Sequence, residues 1–297
     1  MWAGAAGGRV PAMSTPTPRH LLLPLALAAL AATGATAALA TAEDAAAPPT
    51  VRFALAAADG RTAPTGPATV PPGAVRIDVA TKAKGMHGFQ LLRLPAGADV
   101  PAIQQRVSKA RSDDDFEALG GVVAVGGTGV SARRKGSIVV DLTSGTYLLA
   151  DLSSQKGVPS VPFTVGEGSG PGLPAAPAAT ISMFDYKYEI AGKLPRKGDV
   201  RIVNKGKRNH IVVVFKTADA KGSARLVKAV RADDQRAAGK EIRGEGTSAN
   251  AVGPGQAHDL TVANAPGNYV LVCFVKSKQS KGKAHNALGM VKAVTVK

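Results

Sequence analysis

The feature that most constrains this chain is that it repeats itself. Gly145-Thr146-Tyr147-Leu148-Leu149-Ala150-Asp151-Leu152 aligns with Gly267-Asn268-Tyr269-Val270-Leu271-Val272-Cys273-Phe274. Upstream, Met86-His87 followed by Phe89, Leu91 and Leu92 aligns with Asn209-His210 followed by Val212 to Phe215. Between these anchors Arg111-Ser112-Asp113-Asp114 matches Arg231-Ala232-Asp233-Asp234, and each half closes on Thr-Val, at Thr164-Val165 and Thr295-Val296. The shared order and near-constant offset describe a duplicated unit, so each motif is read once per copy. Residues 167–179, rich in Gly, Pro and Ala, have linker composition and separate a first half, 48–166, from a second, 180–297.

Within each half the dominant signal is strand. Val75 to Val79, Phe89 to Leu94, Ile138 to Leu142 and Tyr147 to Leu152 are short Val-rich runs bounded by Gly, Pro and Asn. Their counterparts are Val200 to Val203, Ile211 to Lys216, Asp259 to Val262 and Asn268 to Val275. One helix per half is expected. Pro101 suits the first turn of a helix through Ile103, Val107 and Ala110, and Ser223 is placed to cap another carrying Leu226, Val227 and Val230. The chain has 297 residues, 45% hydrophobic and only 4% aromatic, a composition for two medium domains with aliphatic cores. The expected fold is all-β: two tandem Greek-key β-sandwich domains.

The N-terminus has the composition of an export signal. Arg9, Arg19 and His20 precede the apolar run Leu21 to Ala32, and Ala38-Leu39-Ala40 and Ala40-Thr41-Ala42 both fit signal-peptidase sites, so 1–42 is read as signal peptide and leader. The run is broken by Pro24 and is short of the roughly 20 apolar residues of a membrane span. Export places the single cysteine, Cys273, where thiols ordinarily pair, yet no second cysteine exists in the chain. It is therefore buried, bound to metal, or reactive. The formal charge of +16 is spread through both halves, which favours acidic partners or an anionic envelope surface over nucleic acid, for which no recognition motif is present. His258, beside Asp259 on an expected strand, reads as a surface residue.

Four residues of the second half carry chemistry: His210, Cys273, His285 and Met290. Singly, each has a plain reading as a buried thiol, a hydrogen-bonding imidazole or a core thioether. Together they supply a soft thiolate, two imidazoles and a weak axial thioether, the donor types of a mononuclear copper site that cycles between Cu(I) and Cu(II). The second half resembles the cupredoxin family, the plastocyanin and azurin group of blue copper proteins. The resemblance rests on Ile181 to Tyr186, the Leu194-Pro195 turn, the strand Asp199 to Asn204, Asn204-Lys205-Gly206 ahead of His210, Gly267 to Cys273, and His285-Asn286-Ala287-Leu288-Gly289-Met290. It implies His210, Cys273 and His285 as strong ligands of one type 1-like copper ion, with Met290 as the weak axial ligand. In most small members of that family only a few residues separate the cysteine from the next histidine, whereas Phe274 to Ala284 intervene here. That loop must fold back on itself. In the first half His87 matches His210, but Asp151 stands at the cysteine position and neither histidine nor methionine follows it, so this copy is expected to be cupredoxin-like without a metal site.

The expectation is an exported copper protein of electron transfer or copper carriage, with the lysines of the 274–284 loop docking an acidic redox partner. The alternative is a metal-free envelope module that works through its basic surfaces. Neither is an enzyme: oxidases of this fold need further histidines, commonly as His-x-His pairs, and no hydrolase motif is present. Pairs such as Gly120-Gly121 and Gly126-Gly127 lack the sequel of a phosphate loop and read as turns.

Overall fold

The structure, a computed structural model, describes residues 47–58, 61–109, 119–152, 158–175, 177–277 and 280–297. The leader 1–42 and the Arg111 to Asp114 part of the repeat lie outside them. Strands of the first half are β1 Thr50–Ala58, β2 Arg61–Thr65, β3 Thr69–Val70, β4 Gly73–Thr81, β5 Met86–Arg93, β6 Val123–Ser131, β7 Gly136–Leu142, β8 Gly145–Asp151 and β9 Ser160–Val165, with helix α1 Val100–Ser108 between β5 and β6. The second half runs β10 Ala179–Phe184, β11 Lys187–Gly192, β12 Lys197–Asn204, β13 His210–Thr217, helices α2 Ala220–Arg231 and α3 Gln235–Glu241, β14 Gly244–Glu245, β15 Ala249–Val252, β16 Ala257–Ala263, β17 Gly267–Val272 and β18 Val291–Val296. Among the described residues no helix is long and apolar enough to cross a membrane.

The strands form two large sheets, one in the order β11-β10-β12-β16-β7-β4-β1-β2, the other β18-β17-β13-β15-β6-β5-β8-β9-β3 with β14 on β13. Each sheet contains both halves, joined by antiparallel pairing of β16 with β7 and of β15 with β6. The pairing order on one side of each junction recurs, reversed, on the other, as a twofold relation between the copies requires. The same hydrogen bond marks both copies: Tyr147 donates to Thr143 O at 3.0 Å and Tyr269 to Ala265 O at 2.6 Å, each reaching back from the start of its strand. The fold is thus of the expected all-β class, a duplicated unit built into two large sheets.

The halves do not hang from the linker; they merge edge to edge. Across the junctions Arg76 pairs with Asp199 at 2.9 Å and donates to Thr261 Oγ1 at 2.9 Å, Thr128 Oγ1 donates to Ser248 O at 2.6 Å, and Asn250 Nδ2 donates to Phe89 O at 2.8 Å. The linker itself is held by Ala74 N–H on Pro171 O and Arg201 on Pro174 O. His258 is fully buried at this junction, which corrects its reading as a surface residue. Its ring fills the space above Gly126 of β6, where a Cβ would stand 2.5 Å from Nδ1. The φ of Gly126, 144°, is one that side-chain-bearing residues rarely adopt. Burial lowers the His258 pKa to about 4, opposed only in part by the backbone of Val125.

Local signals were obeyed in type more than in boundary. Helix α1 begins as expected, with Pro101 in its first turn and Asp99 accepting from Ala102 N–H, and buries Ile103 and Val107. The second helix is capped by Asp219, which accepts from Gly222 N–H at 2.6 Å; Ser223 lies inside it, buried against Thr217 Oγ1 at 2.7 Å. Asp234 caps the additional helix α3. Leu226, Ala229 and Val230 of α2 cover the outer face of β17 and β18 at Val270, Val272 and Val291.

Candidate metal site

Two strands and one loop deliver three donors to one point. Along β17 the period of two sends Val270 and Val272 toward the helices and Tyr269 and Leu271 into the sandwich, and Cys273 continues that inward row. On β13 the inward row is Val214, Val212 and then His210. The turn ahead of His210 is fastened by the buried Asn204: its Nδ2 donates to Arg208 O and Val252 O, both at 2.6 Å, and its Oδ1 accepts from Gly206 N–H at 2.9 Å.

The 274–284 loop does fold back on itself. Lys276 bridges to Ala284, His285 N–H donates to Val275 O at 2.8 Å, and Asn286 N–H donates to Cys273 O at 2.8 Å. Ser277 and Ser280 bond each other's backbone N–H groups at 3.0 and 3.1 Å. His285 is therefore tied to the end of the cysteine strand in spite of the long excursion. Met290, also fully buried, closes the turn: its N–H donates to His285 O at 2.9 Å and its carbonyl accepts from Cys273 N–H at 3.2 Å.

His210, Cys273 and His285 are each fully buried, and their donor atoms lie within 4.8 Å of one another. Nδ1 of His210 is 3.2 Å from Nδ1 of His285, and the Cys273 sulfur is 3.5 Å from His285 Nδ1 and 3.9 Å from His210 Nδ1. These edges suit one ion. With metal–nitrogen distances of about 2.0 Å and metal–sulfur of about 2.3 Å, they subtend angles of roughly 100–130°, between tetrahedral and trigonal.

The protonation pattern is equally compatible. His210 Nε2 lies 2.8 Å from Asp185 Oδ1, on the side of the ring away from the cluster. Burial works to raise the Asp185 pKa, but the bonds from His210 and Lys207 N–H, with the charges of His210 and Arg208, outweigh it and hold the carboxyl below its ordinary value. An ionised carboxylate only accepts, so His210 donates to it from Nε2, which leaves Nδ1 as the atom turned to the cluster. Nδ1 of His285 faces that atom at 3.2 Å, and Nε2 of His285 is buried without a partner. Burial, and the charge of His210 beside it, lower the His285 pKa to about 4. Tyr188 donates to Ile211 O at 2.6 Å. Its burial, with Cys273 adjacent, holds the phenol well above its ordinary pKa.

Sequence reasoning missed Asp185 and Tyr186. Tyr186 packs its ring edge-on against His285, with centroids 4.7 Å apart. The one usable signal was strand pairing: β10 runs parallel to β12 with Met183 opposite Asn204, which sets the residues after β10 beside the turn that precedes His210.

In the first half His87 Nδ1 lies 3.4 Å from the buried Asp151 carboxylate. Phe89 pairs with Asp151, and the pairing of Val213 with Val272 extends the same register to Val212 and Cys273. His87 and Asp151 therefore occupy the places of His210 and Cys273.

No family model and no curated protein matches the chain. Among solved structures it is similar to auracyanin from the photosynthetic bacterium Roseiflexus castenholzii, at 22% identity over 41% of this chain and 99% of that one, with a TM-score of 0.25. It is similar to the copper nitrite reductase of Nitrosomonas europaea at 13% identity over 84% and 94% of the two chains, TM-score 0.22. A laccase from Botrytis aclada matches at 12% identity over 84% and 52%, TM-score 0.23. At these identities the likeness concerns fold alone. The expectation that the chain lies outside the enzymes is not upheld, since enzymes, a laccase and a copper nitrite reductase, stand among the structures it is similar to.

Proposed function

We propose that the second half binds one copper ion through His210 Nδ1, Cys273 Sγ and His285 Nδ1, with Met290 as weak axial ligand, and that the protein serves electron transfer or copper carriage outside the cytoplasmic membrane. The observation that carries this reading is the convergence of two imidazole nitrogens and one thiol within 4.8 Å in a fully buried cluster. Bound copper would supply a one-electron couple. The protein's own residues do the rest: the thiolate and the imidazoles hold the ion, burial excludes water, and Asp185 keeps His210 in the tautomer with Nδ1 bare.

Export follows from the leader composition. The exposed Lys276, Lys281 and Lys283 surround the loop that delivers His285, and their charge would steer an acidic redox partner toward that end of the sandwich. The test is anaerobic titration of the reduced mature protein with Cu(II), followed by visible and EPR spectroscopy. An intense thiolate-to-Cu(II) charge-transfer band that vanishes in Cys273→Ala is the expected result. Folded protein with a free thiol and no such band would leave a metal-free module acting through its basic surface.

A further inference from the structure

We propose that the turn Asp185-Tyr186 is a clasp on both histidines, with Asp185 setting which nitrogen of His210 is bare and Tyr186 sealing the outer edge of His285. Its purpose rests on the copper reading above; its geometry does not. Both residues lie between β10 and β11, consecutive in sequence, and each meets a different imidazole.

The Asp185 arm is fixed by two partners. Its Oδ1 meets His210 Nε2 at 2.8 Å, and Lys207 N–H reaches both carboxylate oxygens at 3.1 Å. Between them stands Gly206, where any Cβ would collide with the Asp185 carboxylate and with His210 Nε2. The close approach of this turn to the histidine thus requires glycine there. The carboxylate is 26% exposed while the imidazole it holds is fully buried, so Asp185 connects the cluster to solvent without opening it.

The Tyr186 arm explains an otherwise costly feature. His285 Nε2 is buried and has no hydrogen-bond partner, although a bare imidazole nitrogen in contact with water would be satisfied at once. The ring packed against that imidazole, with centroids 4.7 Å apart, belongs to Tyr186, which is itself partly exposed. Because the two arms share one turn, displacing it frees the tautomer of His210 and wets His285 together.

The experiment uses the copper-free protein as well as the loaded one. Nitrogen-15 NMR of the imidazoles in wild type is expected to show His210 as the Nε2–H tautomer. Asp185→Ala should move it toward Nδ1–H and lower Co(II) affinity by about ten- to a hundredfold, with Asp185→Asn intermediate. Carbethoxylation by diethyl pyrocarbonate, read at His285 by peptide mass spectrometry, should accelerate by about tenfold or more in Tyr186→Ala as the nitrogen meets solvent. Tyr186→Phe should keep wild-type protection, since the ring and not the hydroxyl does the covering. Amide NMR dispersion of Tyr186→Phe and Asp185→Asn controls for folding. The clasp is overturned if wild-type His210 is the Nδ1–H form, or if His285 reacts equally fast in wild type and Tyr186→Ala. Should tautomer and protection behave as expected while wild type takes up neither Cu(II) nor Co(II), the clasp stands and the copper reading falls. Metal uptake with neither readout moved by the variants gives the converse.

Discussion

His87 with Asp151 and His210 with Cys273 are the same two positions of a duplicated unit, held in the same strand register, and they present different donor atoms. In the first half a hard carboxylate faces one imidazole at 3.4 Å, and the pair is an ordinary charge-assisted contact. In the second, a thiol replaces the carboxylate, and a loop returns a second imidazole to within 3.5 Å of the sulfur. Backbone duplication supplies a place where two strands bring side chains together. What that place can hold depends on donor softness and on whether the following turn adds a third donor.

The comparison breaks most sharply if the second site is converted to the first. Cys273→Asp is expected to abolish the visible charge-transfer band and to lower Cu(I) affinity by at least about a hundredfold, measured by anaerobic competition titration, because a hard oxygen replaces the soft sulfur. A band that survives this change would move the site elsewhere.

The junction that fuses the halves supplies the next effect. His258 has an ordinary pKa of 6.5 and a folded value of about 4, lowered by burial. The folded state therefore binds this proton less readily than the unfolded chain. The stability His258 contributes is complete above about pH 6.5 and is lost as pH falls from there toward about 4, a gap worth about 3 kcal/mol. Urea unfolding at pH 7 and pH 4.5 should record a fall that shrinks in His258→Leu. An unchanged pH slope in that variant would place the acid sensitivity in other groups.

Arg76 offers a smaller handle on the same junction. Its contacts with Asp199 and Thr261 cross between the halves but remain part-exposed, so Arg76→Ala should cost about 1 kcal/mol in the same assay. Asp151→Cys sharpens the comparison by changing almost nothing: the thiol count rises to two by Ellman titration while bound copper stays at one per chain. Uptake of a second copper by this variant would mean that a cysteine alone recreates the site.

Much of the candidate site is legible in the residues alone. The strand alternation that turns Tyr269, Leu271 and Cys273 inward is local, and the repeat by itself puts His210 and Cys273 on elements that match those of His87 and Asp151. His285 is legible as a residue but not as a position, because its return depends on Ser277, Ser280 and the bridge from Lys276 to Ala284, none of which follows a periodic rule. The sequence places a helix cap at Ser223, whereas Asp219 takes that position and Ser223 packs against Thr217 inside the helix.

By itself the sequence determined the duplication, the all-β class, the rows of residues that face inward and the soft donor set, since each is written in local period and residue type. Only the tertiary structure decided that the halves share both sheets, that His258 is buried between them, and that Asp185 and Tyr186 close on the two histidines. Those outcomes depend on which distant strands become neighbours, β10 beside β12 and β16 beside β7. Such pairing is set by the burial available to the whole chain and by no segment of it alone.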